Sequence, residues 1–218
     1  MIDHSVLSPV HTEQDVVRGC RTAREFGVRA IIVKPTYVRQ AARLLDATPV
    51  HVGTVIGFPH GGETARMKAM QVREMRTAGA VEFDMVINIG AMREGHDRLI
   101  LREVEAVVTA ARGGLVKVII ETGYLDDDQK VRAALLAAEG GAHFVKTSSG
   151  YGLRGATVDD VRLLRHVLPR SVGVKASGGI KTLTEALSLL DAGAGRIGTS
   201  STRAILEASL QRLEPAPA

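Results

Sequence analysis

His143-Phe144-Val145-Lys146-Thr147-Ser148-Ser149-Gly150 reads as a short buried strand that ends on a lysine and opens into a polar loop. A second copy follows at Ser171-Val172-Gly173-Val174-Lys175-Ala176-Ser177-Gly178-Gly179. An ammonium group is costly to bury without a partner. Two apolar strands that each end on lysine, with small residues just beyond, therefore point to a site and not to a packing need.

Working outward, the same strand-then-helix rhythm fills the chain. Apolar strands are expected at 2–7, 30–33, 50–56, 81–87, 115–120, 142–146, 172–175 and 195–197. Helices are expected at 12–26, 35–46, 63–77, 97–112, 126–139, 158–168, 182–191 and from 202 to about 213. Thr12 with Asp15 three residues later suits a capping box, and Pro35 suits a first helical turn. Gly27, Gly79 and the Gly113-Gly114 and Gly140-Gly141 pairs close helices. Strict alternation implies a parallel sheet. Eight units in 218 residues, with no Gly-x-Gly-x-x-Gly turn after the first strands, favour an α/β fold of the (β/α)8 TIM-barrel kind. One domain is expected over residues 1–213, with 214–218 a disordered tail.

Composition narrows the class. The formal charge is +4, but basic residues are spread among acids and aromatics make up 3%. No nucleic-acid face is expected from that pattern. The single cysteine, Cys20, leaves no internal disulfide and no multi-cysteine metal site. No apolar run approaches the ~20 residues of a membrane span, and no signal segment is visible at Met1–His4. A cytoplasmic location is the default. The seven histidines include no pair spaced like a metal site on one element, which disfavours a metal-dependent reaction, and no cofactor is expected.

In a barrel of this type chemistry sits at the C-terminal ends of the strands. Asp84, Glu121, Lys146 and Lys175 occupy those ends on strands four to seven. Lys146 and Lys175 lie on neighbouring strands, and a like charge in a desolvated site lowers a lysine pKa. A partly neutral lysine attacks carbonyls and forms a Schiff base. Asp84 beside both is a candidate proton shuttle. Glu82 and Lys117 read as interior structural partners. Ser177-Gly178-Gly179 and Gly198-Thr199-Ser200-Ser201 follow strands seven and eight, where barrel enzymes often bind phosphate.

Several motifs then fall in order along nearly the whole chain: Asp-Met-Val-Ile-Asn-Ile-Gly at 84–90, Lys-Val-Ile-Ile-Glu-Thr at 117–122, Phe-Val-Lys-Thr-Ser at 144–148, Gly-Val-Lys-Ala-Ser-Gly-Gly-Ile at 173–180 and Arg-Ile-Gly-Thr-Ser-Ser at 196–201. Together they resemble the 2-deoxyribose-5-phosphate aldolase family. The resemblance implies a metal-free class I aldolase, acting in deoxyribonucleoside catabolism on a small phosphorylated sugar and an aldehyde. It assigns the Schiff base to Lys146, its tuning to Lys175 and acid–base work to Asp84. Gly178, Gly179, Gly198, Ser200 and Ser201 hold the phosphate, and Asp3 and Thr147 line the pocket. Gly150 joins the substrate-binding set. A homo-oligomer, in the first instance a dimer, is the family-level expectation. Three departures stand out. Lys34 follows strand two where many members have Asn, and adds a cation toward phosphate or a more acidic substrate. Tyr151 stands where some members place a phosphate-binding lysine, with Arg154 as the compensating cation. The C-terminal tyrosine of some members is missing.

Overall fold

A computed structural model of the protein describes residues 1–213; the tail expected at 214–218 lies outside the described residues. The chain runs β1 (Ile2–Val6), α1 (Glu13–Glu25), β2 (Ala30–Val33), α2 (Val38–Leu44), β3 (His51–Ile56), α3 (Ala65–Ala78), β4 (Glu82–Val86), α4 (Ile89–Arg93) and α5 (Asp97–Ala111). It continues β5 (Leu115–Ile119), α6 (Asp127–Glu139), β6 (Phe144–Lys146), α7 (Val158–Val167), β7 (Gly173–Ser177), α8 (Leu183–Asp191), β8 (Arg196–Thr199) and α9 (Thr202–Leu213). The strands form a closed parallel barrel in sequence order, with β8 returning to β1. The (β/α)8 architecture expected from the alternation is therefore observed.

Most boundaries follow local chemistry. The N–H of Thr12 donates to Asp15 Oδ2 at 2.8 Å, which starts α1 at the expected capping box. Two starts differ from expectation. Pro35 opens a 3₁₀ turn, Pro35–Tyr37, and α2 proper begins at Val38. The third helix starts at Ala65, because Thr64 is the residue whose side chain accepts the N–H of Met67. The short α4 was not expected; Asn88 caps it by accepting the N–H of Ala91.

Residues two apart share a strand face, and this separates two interiors. Outward-facing Val, Ile and Ala of the strands pack with the helices in one apolar layer, typified by Ile31, Val52, Phe83, Val118, Val145 and Ile197. Inside the barrel, Ala30, Ile32, Val55 and Leu7 make a small apolar cluster. Charged side chains share that inner face, among them Glu82, Asp84, Lys117, Lys146 and Lys175.

A second buried ion pair lies outside the barrel, behind β4. Lys68 of α3 is fully buried and meets Glu103 of α5 at 2.6 Å. Lys68 Nζ also donates to the Val86 carbonyl at 2.7 Å, and Glu103 Oε1 accepts the N–H of Asn88 at 2.7 Å. The pair thus ties two helices to the end of β4. Removing one partner of a buried pair strands the other charge. Glu103→Ala is expected to lose about 3–5 kcal/mol. The check is the urea midpoint at unchanged slope.

Candidate active site

The strand ends that carry Lys146 and Lys175 are in register, Cα opposite Cα, on adjacent strands. Alternation turns both side chains inward, where Asp84 rises from β4. Asp84 Oδ2 accepts from Lys146 Nζ at 2.9 Å and from Lys175 Nζ at 2.8 Å. Its other oxygen accepts from Lys117 Nζ at 2.8 Å. One carboxylate therefore bridges three ammonium groups, all buried.

Glycine makes this crowding possible at one point in particular. A Cβ at position 198 would lie 2.9 Å from Lys175 Cε. Beneath the lysines, Asp3 accepts from Lys175 at 2.6 Å and also pairs with Arg196. Glu82 lies 2.6 Å from Lys117.

The inner face thus sets three carboxylates (Asp3, Glu82, Asp84) against four cations (Lys117, Lys146, Lys175, Arg196). One cation is in excess, and the chemistry says which one yields. Burial pushes the Lys146 ammonium down; Asp84 resists, Lys175 pushes further, and the result is about 8. Asp84 moves the opposite way. Burial favours its neutral form, but Lys117, Lys146 and Lys175 outweigh that and hold it well below the usual carboxylate range. Asp3 is likewise held at about 2, its burial outweighed by Lys175, Lys117 and Arg196. Burial opposes the Lys117 charge, yet Asp84, Asp3 and Glu82 raise its pKa above the usual lysine value. The site therefore pairs a fixed anion with an amine that readily becomes neutral.

Above Lys146 opens a cleft of about 270 Å³. Gly178, Gly179, Gly198 and Ser200 line it together with Lys146, Ser149 and Gly150. Gly178 and Gly179 have φ of +90° and +78°, a backbone that only glycine adopts without strain. Thr199 Oγ1 donates to the Ile180 carbonyl at 2.7 Å and accepts the N–H of Ser201 at 2.9 Å, which fastens the two loops together. Gly178→Ala would strain the backbone and press a methyl to within 2.9 Å of Gly155 Cα. The expected result is a KM for a phosphorylated sugar raised by about tenfold, equivalent to roughly 1.4 kcal/mol. The unphosphorylated sugar should react much as before, as steady-state assays of both would read.

Other expected site residues stand elsewhere. Thr147 does not line the cleft; it is buried, and its Oγ1 exchanges contacts with the Ser177 backbone, joining β6 to β7. Asp3 lies below the lysines, paired with them and not with the cleft. Ser201 stands behind Ser200 and outside the lining. Glu121 does not face the interior, because its φ of +53° breaks the strand alternation. Its Oε2 instead accepts the N–H of Ser149 at 2.9 Å and holds the loop after β6 in place.

Lys34, expected as an added cation at the mouth, and Arg154, expected to compensate for Tyr151, both point elsewhere. Lys34 Nζ donates to the carbonyls of Pro9 and His11 at 3.1 and 2.9 Å, so it braces the loop after β1. Arg154 pairs with Asp160 of α7, whose other oxygen also takes Lys130. Long flexible side chains found nearer acceptors than the cleft. Besides Lys146, Lys181 lines the cleft, and Ser5, Ser8, His11 and Tyr151 are also part of its wall. Sequence reasoning passed over Lys181, although it follows the Gly178-Gly179 turn by two residues. Lys117, expected as an interior structural partner, touches Asp84 as closely as the two strand-end lysines do. Among the described residues, no group of three or more His, Cys, Asp or Glu is placed to hold a metal ion.

Comparison with known proteins agrees with this geometry. The chain matches the family model described as DeoC/LacD family aldolase over residues 1–208. Deoxyribose-phosphate aldolase of Dictyoglomus turgidum is 50% identical over 94% of this chain and 94% of that protein. The protein of the same name from Methanothermobacter thermautotrophicus is 51% identical over 95% of this chain and 92% of its own length. The solved deoxyribose phosphate aldolase of Aeropyrum pernix, described as a unique tetramer, superposes with a TM-score of 0.90 at 34% identity, covering 97% of this chain and 90% of that one. With the family model matched end to end across the barrel and relatives half identical to it, the chain belongs to the DeoC/LacD family of aldolases.

Proposed function

We propose that this protein is a class I aldolase that reversibly cleaves 2-deoxy-D-ribose 5-phosphate into D-glyceraldehyde 3-phosphate and acetaldehyde. The observation that carries the reading is Lys146: a buried amine brought down to about 8, opening into a cleft walled by glycine loops. The relatives' shared name supplies the substrate.

Neutral Lys146 Nζ attacks C1 of the open-chain sugar. Water leaves and a protonated imine forms. Loss of the C3 hydroxyl proton then breaks the C2–C3 bond, whose electron pair passes into the imine to give an enamine. Glyceraldehyde 3-phosphate departs. Protonation at C2 and hydrolysis release acetaldehyde and return the amine. Asp84 stays anionic throughout and compensates the iminium charge where the ammonium had been. Lys175, on the same carboxylate oxygen, is the nearest group able to give and take back a proton. Gly178, Gly179, Gly198 and Ser200, with Lys181, hold the phosphate end.

The test is borohydride trapping with 2-deoxyribose 5-phosphate and mapping of the adduct by mass spectrometry. The adduct is expected on Lys146. Because the amine is protonated and inert below its pKa, the trapping rate should rise with pH and level off above about 8. A rate that falls across that range would contradict the assignment. Among the described residues no helix is long and apolar enough to cross a membrane, and we place the activity in the cytoplasm. Self-association also belongs to the reading, with a dimer as the minimal unit, and light scattering on the eluted protein would count the subunits.

A further inference from the structure

His51 opens β3 at the end of the barrel opposite the cleft, and its side chain is 37% exposed. Its Nδ1 lies 2.8 Å from Glu82 Oε1. The other oxygen of Glu82, a fully buried residue, lies 2.6 Å from Lys117 Nζ. Lys117 Nζ lies 2.8 Å from Asp84 Oδ1, and Asp84 Oδ2 lies 2.9 Å from Lys146 Nζ. Four contacts, none longer than 2.9 Å, thus run unbroken from solvent at the barrel floor to the reacting amine. Gly53 leaves room for the chain, since a Cβ there would stand 3.2 Å from Glu82 Cβ.

We propose that His51 is a positioning residue at the solvent end of this chain, and that its charge sets how readily Lys146 gives up a proton. The proposal rests on the assignment of Lys146 as the Schiff-base lysine.

The sign follows from the order of charges. Imidazole ordinarily changes charge between about pH 5 and 8. A protonated ring shares Glu82 with Lys117. The Lys117 charge then acts more fully on Asp84, and Asp84 supports the Lys146 ammonium less. The added positive charge works in the same direction. Protonation of His51 therefore favours the neutral amine just as falling pH would otherwise remove it. The acid side of the Lys146 profile becomes shallower than that of an isolated lysine.

Other charged groups share the floor. Arg196 of β8 lies 3.5 Å from Glu82 Oε2, Asp3 of β1 pairs with Arg196, and the N-terminal ammonium has Arg196, Asp3 and Arg29 as charged neighbours. Around Lys146 stand Asp84 of β4, Lys117 of β5 and Lys175 of β7. Arginine keeps its proton throughout, and Asp3 is held at about 2. The N-terminal amine titrates below its ordinary value because of burial and Arg196, and it is common to every protein compared in the test.

The test uses the full chain, His51→Gln and His51→Lys. Each is treated with unphosphorylated 2-deoxyribose and cyanoborohydride from pH 5 to 9, and the initial rate of adduct formation on Lys146 is read by mass spectrometry. The lysine variant carries a permanent cation and the glutamine variant none. Their midpoints should differ by about half a pH unit, the lysine variant lower, which is about threefold in rate on the acid side. Wild type should lie between the two variants. KM for the phosphorylated sugar should agree among all three within about twofold, since the phosphate loops are untouched. Superimposed profiles, or variants that change only thermal stability, would overturn the proposal. Absence of any wild-type adduct on Lys146 is a separate outcome, which removes the Schiff-base reading and this inference together.

Discussion

Lys146→Ala is expected to abolish both the trapped adduct and turnover, with a loss of at least about 10⁴-fold. The remaining lysine of the cleft wall, Lys181, is exposed and makes no pair with Asp84, so it lacks the setting that activates Lys146. Lys175 and Lys117 are buried on the same carboxylate, but neither lines the cleft, and Asp3 and Glu82 pair with them from below. The variant should fold, because alanine removes the surplus cation of the inner face and leaves three carboxylates against three cations. Steady-state assay, intact-protein mass after borohydride and a thermal melt together check this. A variant that keeps more than a few per cent of activity would show that the reacting amine lies elsewhere.

Asp84→Asn carries the second large effect. The amide cannot supply the charge that three ammonium groups share. Two consequences should appear together. Stability should fall by about 3–5 kcal/mol, as expected when a buried pair loses one partner. Activity should fall by about 10²–10⁴-fold, because the iminium loses its counter-ion and Lys175 loses the carboxylate that holds it beside the reacting amine. The Lys146 amine should meanwhile deprotonate more easily, since Asp84 is the group that raises its pKa. Trapping would then begin at lower pH than in wild type while turnover collapses. That divergence separates loss of catalysis from loss of the nucleophile.

The sequence was legible where a period of two decides direction. Lys146, Lys175, Asp84, Glu82 and Lys117 all obey strand alternation, and all five face the interior. The barrel was legible for the same reason, with glycine and capping signals marking the elements between strands. Legibility failed where backbone or side-chain freedom takes over. Glu121 leaves the alternation through one left-handed residue, which nothing in its neighbours announces. Lys34 and Arg154 are long side chains that reach whichever acceptor is nearest, and their acceptors are set by the fold: the loop after β1 for one, Asp160 for the other. The Lys68–Glu103 pair was invisible because its members sit on two helices 35 positions apart. The role of Lys117 was misjudged because a structural ion pair and a catalytic support look alike until Asp84 is seen to join them.

The contact between Gly155 and Gly178 bears on how such a site changes over evolution or by design. A methyl at 155 would lie 2.0 Å from the Gly178 carbonyl oxygen, and the next residue, Ala156, donates its N–H to that same oxygen. The segment after β6 and the segment after β7 are thus interlocked backbone to backbone. Neither is an exchangeable module. A graft that replaces one segment alone brings side chains into a space sized for two glycines and displaces the anion cradle. New specificities are reached by exchanging the two segments as a matched pair, or by altering the wall on the far side, where Ser5, Ser8 and His11 stand free of that interlock.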